Sequence, residues 1–323
     1  MEARCMSWFY ILIFLGSCGL LFLSSRWLIE ALMRIARFLG WREFVVAFFV
    51  MAFAGSVPNL FVGISSALHK IPQLSFGDII GGNLIDLTLA VALAALIAKG
   101  LSAESKMVQT SSIFTIVVAI QPLLLILDGT LGRMDAIILI LTFFVYIFWL
   151  FSKKERFTKT YEEDQTPIVK KFKVFIKDLG KVILGISLLL LAAEGMVRSA
   201  FFFAESLNLS IALIGILIVG LGNALPEIYF AIASARKGQT WMILGNLMGS
   251  IIVPATLVLG IVALICPIKV PDFSPFAIGR FFLIISAIFF LFFVRTGRKI
   301  TKKEALFLLG IYITFVLVEI LTK

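Results

Sequence analysis

The sequence predicts an all-α integral membrane protein with ten transmembrane helices arranged as two inverted five-helix repeats. Three observations carry that prediction. The chain is 61% hydrophobic with a mean hydropathy of +1.08, far above the roughly half-apolar makeup of soluble domains. Apolar runs of about 18 residues or more, enough to cross ~30 Å of hydrocarbon as helices, recur from end to end. Finally, the chain matches itself when shifted by 168 residues, as in the pairing of Pro58 with Pro226.

The expected spans cover residues 8–32, 43–68, 74–98, 108–127, 134–151, 180–204, 209–235, 240–266, 276–294 and 304–321. They divide the chain into a first five-helix repeat at 1–151, a cytoplasmic linker at 152–180 and a second repeat at 181–323. The linker reads KKERFTKTYEEDQTP and then VKKFKVFIKDLGK, a solvated mixed-charge stretch that holds at most an amphipathic surface helix around 168–178. Leu15-Gly16-Ser17-Cys18 has the look of a lipoprotein cleavage box, but the first span has a counterpart in the second half and is read as a span.

The net charge of +10 does not indicate a nucleic-acid partner, because Lys and Arg sit between spans rather than along one face. With the N-terminus outside, the inner connections hold Arg34, Arg37 and Arg42, Lys99 and Lys106, the whole linker, Arg236 and Lys237, and the run from Arg295 to Lys303. The outer side keeps only Arg4, Lys70, Arg133, Arg198, Lys269, Arg280 and Lys323. The positive-inside rule therefore puts both termini outside the cytoplasm. A short chain with minimal loops suits a prokaryotic plasma membrane. Cys5, Cys18 and Cys266 show no metal or disulfide spacing and are read as packing residues.

The self-match extends well beyond leucines. Ile64, Ser66 and Ala67 meet Ile232, Ser234 and Ala235; Gly77 and Gly81 meet Gly245 and Gly249; Thr88 and Leu89 meet Thr256 and Leu257. Aligned Pro, Gly, Ser and Thr inside apolar helices point to duplication rather than to shared composition. Five spans per copy is an odd number, so the second copy enters the bilayer from the opposite face. Inverted repeats are a recurrent plan of secondary transporters, with the substrate site near the midplane where the repeats meet.

Two segment pairs carry the candidate chemistry. Ala54-Gly55-Ser56-Val57-Pro58-Asn59 and Gly222-Asn223-Ala224-Leu225-Pro226-Glu227 occupy matching places in the second and seventh spans. A proline within a helix frees the carbonyl four residues back, here Ala54 and Gly222. Freed oxygens followed at once by Asn59 or Glu227 give a hard cation the all-oxygen ligands it prefers. The competing reading is a functionless proline kink. The third and eighth spans hold Gly77-Asp78-Ile79-Ile80-Gly81-Gly82-Asn83-Leu84-Ile85-Asp86 and Gly245-Asn246-Leu247-Met248-Gly249-Ser250-Ile251-Ile252-Val253-Pro254. Glycines four apart let helices approach closely. Asp86, a carboxylate deep in an apolar helix, is costly unless paired, protonated or metal-bound, and is a functional candidate. Asp78 is placed nearer the helix entrance, with capping as the competing explanation.

These segments resemble the α-repeats of the sodium/calcium exchanger superfamily, whose signature is a G-[TS]-S-x-P-E turn followed by G-N-x-x-G-S-N-[IL]-x-[ND]. The resemblance covers most of the chain and implies an alternating-access cation antiporter. In that family the long helices leading into each α-repeat slide across a fixed core, a role it implies here for the first and sixth spans. Carried over by position, the implied cation-binding residues are Ser56, Asn59, Asp86, Asn223, Glu227 and Ser250. Glu227 matches the acidic residue of the second repeat, while Asn59 stands where the first repeat normally has glutamate. Pro254 replaces an expected oxygen ligand, Asn223 and Ala224 replace the usual Thr-Ser pair, Gly55 a Thr, Gly82 a Ser, and Asp78 and Ile251 each an Asn.

The expected partners are thus the lipid bilayer and small inorganic cations, namely calcium, sodium and, as a further coupling ion, protons, with no separate cofactor. Two carboxylates balance one divalent or two monovalent ions, which predicts weaker sodium coupling or proton-linked exchange. The alternatives are a proton- or other cation-coupled exchanger of the same fold, and a cation-binding membrane protein without exchange. An intramembrane enzyme finds no nucleophile and base pair, since His69, the only histidine, is peripheral. Arg26 and Glu30, and Glu194 and Arg198 at the matching positions with signs exchanged, are expected to form intrahelical ion pairs.

Overall fold

The computed structural model describes residues 2–38, 55–104, 106–152, 168–238, 240–270 and 274–322. Helix α1 is Glu2–Phe38, α2 Val57–Leu68, α3 Gln73–Ile97, α4 Lys106–Leu125, α5 Arg133–Ser152 and α6 Ile168–Leu207. Helices α7 to α10 are Ile211–Arg236, Ile243–Ile265, Ser274–Thr296 and Lys302–Leu321. Among the described residues nine helices are long and apolar enough to cross a membrane, with α2 a shorter apolar helix. The start of the expected second span, with the Ala54 carbonyl, and linker residues 153–167 lie outside the described residues. Residues 168–180, expected in the linker, are helical and continuous with the sixth span.

Irregularities in the helices repeat with the 168-residue spacing. Helix α3 widens into one π turn at Asp86–Ala90, and α8 does so at Pro254–Val258. Proline at 254 lacks the N–H that a regular turn needs. The widening occurs equally at Asp86, where no proline demands it, so it belongs to the repeat position itself. In both turns an aligned threonine bonds back to the carbonyl four residues earlier: Thr88 to Leu84 and Thr256 to Ile252, each at 2.5 Å. π turns in α-helices are frequent at functional sites because they re-aim the side chains around them.

Among the described residues four two-residue strands tie the connections together: β1 (Leu101–Ser102), β2 (Thr130–Leu131), β3 (Ile268–Lys269) and β4 (Lys299–Ile300). β1 pairs antiparallel with β4, and β2 with β3. Each pair joins one repeat to the other and demands that its two loops lie on one side of the bilayer. Six long helices separate β1 from β4 and four separate β2 from β3, even numbers in both cases. The pairing is what an inverted duplication requires.

Lipid tails are as apolar as leucine, so packing contacts rather than water exclusion hold these helices together. Among the described residues the buried apolar side chains form two groups. The larger is built mainly by α3, α4, α5, α8, α9 and α10. The smaller joins Cys18, Leu21 and Leu28 of α1 to Leu189, Met196 and Val197 of α6, and touches α2 and α7 through Val62, Ile214 and Val219. Cys18 and Cys266 are both free thiols.

The α1–α6 pair is itself pseudo-symmetric. At one end the Arg34 guanidinium donates two hydrogen bonds of 2.8 Å to the buried Asp178 carboxylate. At the other, Tyr10 stacks on Phe202 with ring centroids 4.1 Å apart and planes 14° apart. Residues 178 and 202 are the repeat counterparts of 10 and 34, so one contact position holds an ion pair in one copy and a ring stack in the other. The intrahelical pairs Arg26–Glu30 (3.1 Å) and Arg198–Glu194 (2.7 Å) are both formed. Glu194 also accepts from Ser65 at 2.9 Å and pairs with exposed His69 at 3.2 Å, linking α6 to the end of α2.

Candidate functional site

The site begins with a close crossing of α3 and α7. A Cβ placed on Gly77 would stand 2.3 Å from the Ala212 carbonyl oxygen, and one on Gly81 only 2.1 Å from that of Ile216. Gly215, in the π turn Gly215–Val219 of α7, reciprocates at 2.5 Å from the Leu74 carbonyl. No side chain fits between these backbones. Gly77 and Gly81 therefore act as the sequence predicts, and bring the polar face of α3 against the polar face of α7, whereas a Cβ on Gly245, the counterpart of Gly77, would meet nothing within 4 Å.

Where the faces meet lies a cavity of about 10 Å³, of the order that one water or one dehydrated ion needs. It is lined by Ile79, Gly82, Asn83 and Asp86 of α3, spaced three, four and seven residues apart along one helix face. Asn223, Ala224 and Glu227 of α7 line the opposite wall, with Asn59 of α2 and Ser250 of α8 completing it. Asp86, Asn223, Glu227 and Ser250 are all buried. The two carboxylates come from opposite repeats and share the one cavity.

Hydrogen bonds fix part of this wall and leave the rest open. The Ser250 hydroxyl donates to Asp86 Oδ2 at 2.5 Å. The Asn223 amide donates through Nδ2 to Asp78 Oδ2 at 2.8 Å. Four buried oxygens then have no hydrogen-bond partner: Asp78 Oδ1, Asp86 Oδ1, Asn223 Oδ1 and Glu227 Oε2. None of the cationic side chains among the described residues forms an ion pair with Asp78, Asp86 or Glu227. A buried carboxylate without a counter-charge costs several kcal/mol, so a cluster of orphaned oxygens is chemically suited to a hard cation as its missing partner. Among the described residues no three His, Cys, Asp or Glu side chains group around one metal position. Neutral oxygens, such as those of the amides and the hydroxyl in the lining, therefore have to complete any cation's shell.

Of the six residues implied by the sequence, five line this cavity: Asn59, Asp86, Asn223, Glu227 and Ser250. Ser56 does not. It is buried beside Val57, Leu60, Val253 and Leu257 around a second, more apolar cavity. Gly222 turns its Cα face toward Cys18 and Met196 of the α1–α6 pair and is not among the lining residues. Asp78 is not a cap: the residue before α3 is Pro72, and Asp78 lies one turn in, 1% exposed and bonded across to α7. Asn83 was not singled out by the sequence reading, although its place three residues before Asp86 puts it on the same face. His69, exposed at the end of α2, is not a cavity residue.

Comparison with known proteins agrees with this architecture. The family model for the sodium/calcium exchanger protein matches residues 9–152 and 178–321, two segments that follow the two repeats. The sodium/calcium exchanger MaX1 of Methanosarcina acetivorans is 26% identical over 93% of this chain and 96% of its own length. The inner membrane protein YrbG of Escherichia coli is 26% identical over 90% of this chain and 91% of its own. Solved structures of the sodium-calcium exchanger NCX_Mj, soaked with Na+ and Sr2+, share the fold with a TM-score of 0.67 at 24% identity, covering 95% of this chain and 97% of that one. The family model covers both repeats: the chain belongs to the sodium/calcium exchanger family.

Proposed function

We propose that the protein is a secondary active cation antiporter of the sodium/calcium exchanger kind, with the Asp86–Glu227 cavity as its transport site. One observation carries the reading: carboxylates from opposite repeats line one cavity, and Asp86 Oδ1, Asn223 Oδ1 and Glu227 Oε2 have no hydrogen-bond partner. Asn59, Asn223, Asn83 and Ser250 supply neutral oxygens around them. Calcium and sodium are both hard cations that such a set accommodates, and family membership makes them the first candidates.

Alternating access would use the division of the core. The α1–α6 pair is packed in an apolar group separate from the larger core, and among the described residues its polar ties to the remaining helices include those of Ser65 and His69 with Glu194. A layer packed in this way can shift against the rest at low cost, opening the cavity to one side and then the other. Both termini lie outside the cytoplasm in this reading, which follows from the charge asymmetry of the loops.

The charge of the cavity sets the expected coupling. Asn59 removes a carboxylate charge and Pro254 an oxygen ligand that the resembled motif supplies, which leaves Asp86 and Glu227 in the lining to balance one divalent ion or two monovalent ones. Exchange is therefore expected to carry fewer than three sodium ions per calcium, or to use protons. Reconstituted vesicles at a clamped membrane potential, with calcium, sodium, potassium and proton gradients imposed separately, give the test. Clearly electrogenic exchange of three sodium ions per calcium would count against the coupling. Cation binding without flux would favour a non-exchanging binder, the reading that Ala224 in the cavity wall supports.

A further inference from the structure

Asp78 does not line the cavity, yet it is 1% exposed and tied to a residue that does. We infer that Asp78 is a positioning residue, which holds the Asn223 amide by its nitrogen so that the carbonyl oxygen is the atom presented to the transported cation.

An asparagine amide can turn either its NH₂ group or its oxygen toward a ligand, and only its hydrogen-bond partners decide which. A cation needs the oxygen. Asp78 Oδ2 accepts from Asn223 Nδ2 at 2.8 Å, and Asn223 Oδ1 has no hydrogen-bond partner. A carboxylate oxygen cannot serve the reversed amide, whose oxygen would then face another acceptor. The bond thus selects one of two orientations, and selects the one a cation can use. The close backbone approach at Gly77, Gly81 and Gly215 is what makes this bond short enough to form.

The arrangement is confined to one side of the pseudo-symmetric site. The counterpart of Asn223 is Gly55, with no side chain, and the counterpart of Asp78 is Asn246. Asp78 and Asn223 are also two of the positions at which this chain departs from the resembled motif, which has Asn and Thr there. The structure shows those departures in direct contact, as expected if an amide ligand and its orienting carboxylate arose together.

This inference rests on the cavity being a cation site, and the test separates the two. Full-length protein in vesicles is assayed with calcium, and with sodium if calcium is not carried, for KM and maximal rate. Asp78→Leu and Asp78→Ala are compared with Asp78→Asn, which keeps an oxygen acceptor. The apolar variants are expected to raise KM about tenfold or more with a smaller change in maximal rate, while Asp78→Asn stays within about threefold of wild type, since an amide partner is held less selectively. On an Asn223→Ala background the Asp78→Leu effect on KM should vanish. An unchanged KM in the apolar variants, an Asp78→Asn protein as impaired as they are, or a full Asp78→Leu effect without Asn223 overturns the inference and leaves the transport site standing. Wild-type protein that neither carries nor is stabilised by either ion overturns both. Two apolar variants are used because leucine fills the buried space that alanine would leave empty.

Discussion

Glu227→Gln is expected to lower cation flux by about 100-fold or more while the protein still folds. The side chain is nearly isosteric and keeps an oxygen, so the cavity shape survives; what disappears is one of two charges lining it. Removing one member of a buried charge pairing costs roughly 3–5 kcal/mol, and about 2.8 kcal/mol is already a factor of 100. The empty protein should be no less stable, because Glu227 Oε2 is a buried oxygen with no partner and its desolvation is a standing cost. Flux in vesicles, read beside the melting temperature in detergent, checks both halves. Unchanged flux would remove Glu227 from the site.

Gly81→Ala is expected to fail at the level of folding. Its Cβ would sit 2.1 Å from the Ile216 carbonyl oxygen, which is backbone and cannot swing aside. Relief requires α3 and α7 to part, at a cost of about 3 kcal/mol or more. The parting would also pull Asp78 from Asn223 and open the cavity between them. Gly82→Ala, one residue along, provides the control: a Cβ there meets nothing within 4 Å. Helix propensity then favours alanine by up to about 1 kcal/mol. The expected pair of results is a sharply lowered melting temperature or loss of expression for the first, and a melting temperature at or above wild type for the second. Equal behaviour of the two would show that the glycine contact does not hold the helices together.

The fold was legible because membrane length, loop charge and internal repetition are written in local sequence. Each expected span lies close to an observed helix, from Trp8–Leu32 to Lys302–Leu321, apart from the part of the second span outside the described residues. The duplication reached further than the leucines suggested, into the π turns at Asp86 and Pro254 that a reading of helical periodicity cannot see. Asp86 and Glu227 stood out because carboxylates in apolar runs are expensive. What stayed hidden depended on how helices cross. The bonds of Ser250 to Asp86 and Asn223 to Asp78 join different repeats, and only the glycine-mediated approach of α3 to α7 fixes who meets whom. Ser56 shows the converse. It stands at the N-cap of the helix that carries Asn59, yet it lines the second cavity with Val57 and Leu60, a difference that sequence spacing does not show.

If Asp86 and Glu227 jointly hold the transported ion, saturating calcium should raise the melting temperature of the purified wild-type protein and leave both Glu227→Gln and Asp86→Asn unmoved. The double variant should then lose nothing beyond either single change, because the two side chains act as one site. A calcium shift of wild-type size in both single variants would mean that the ion binds elsewhere, and the account of the cavity would fall with it.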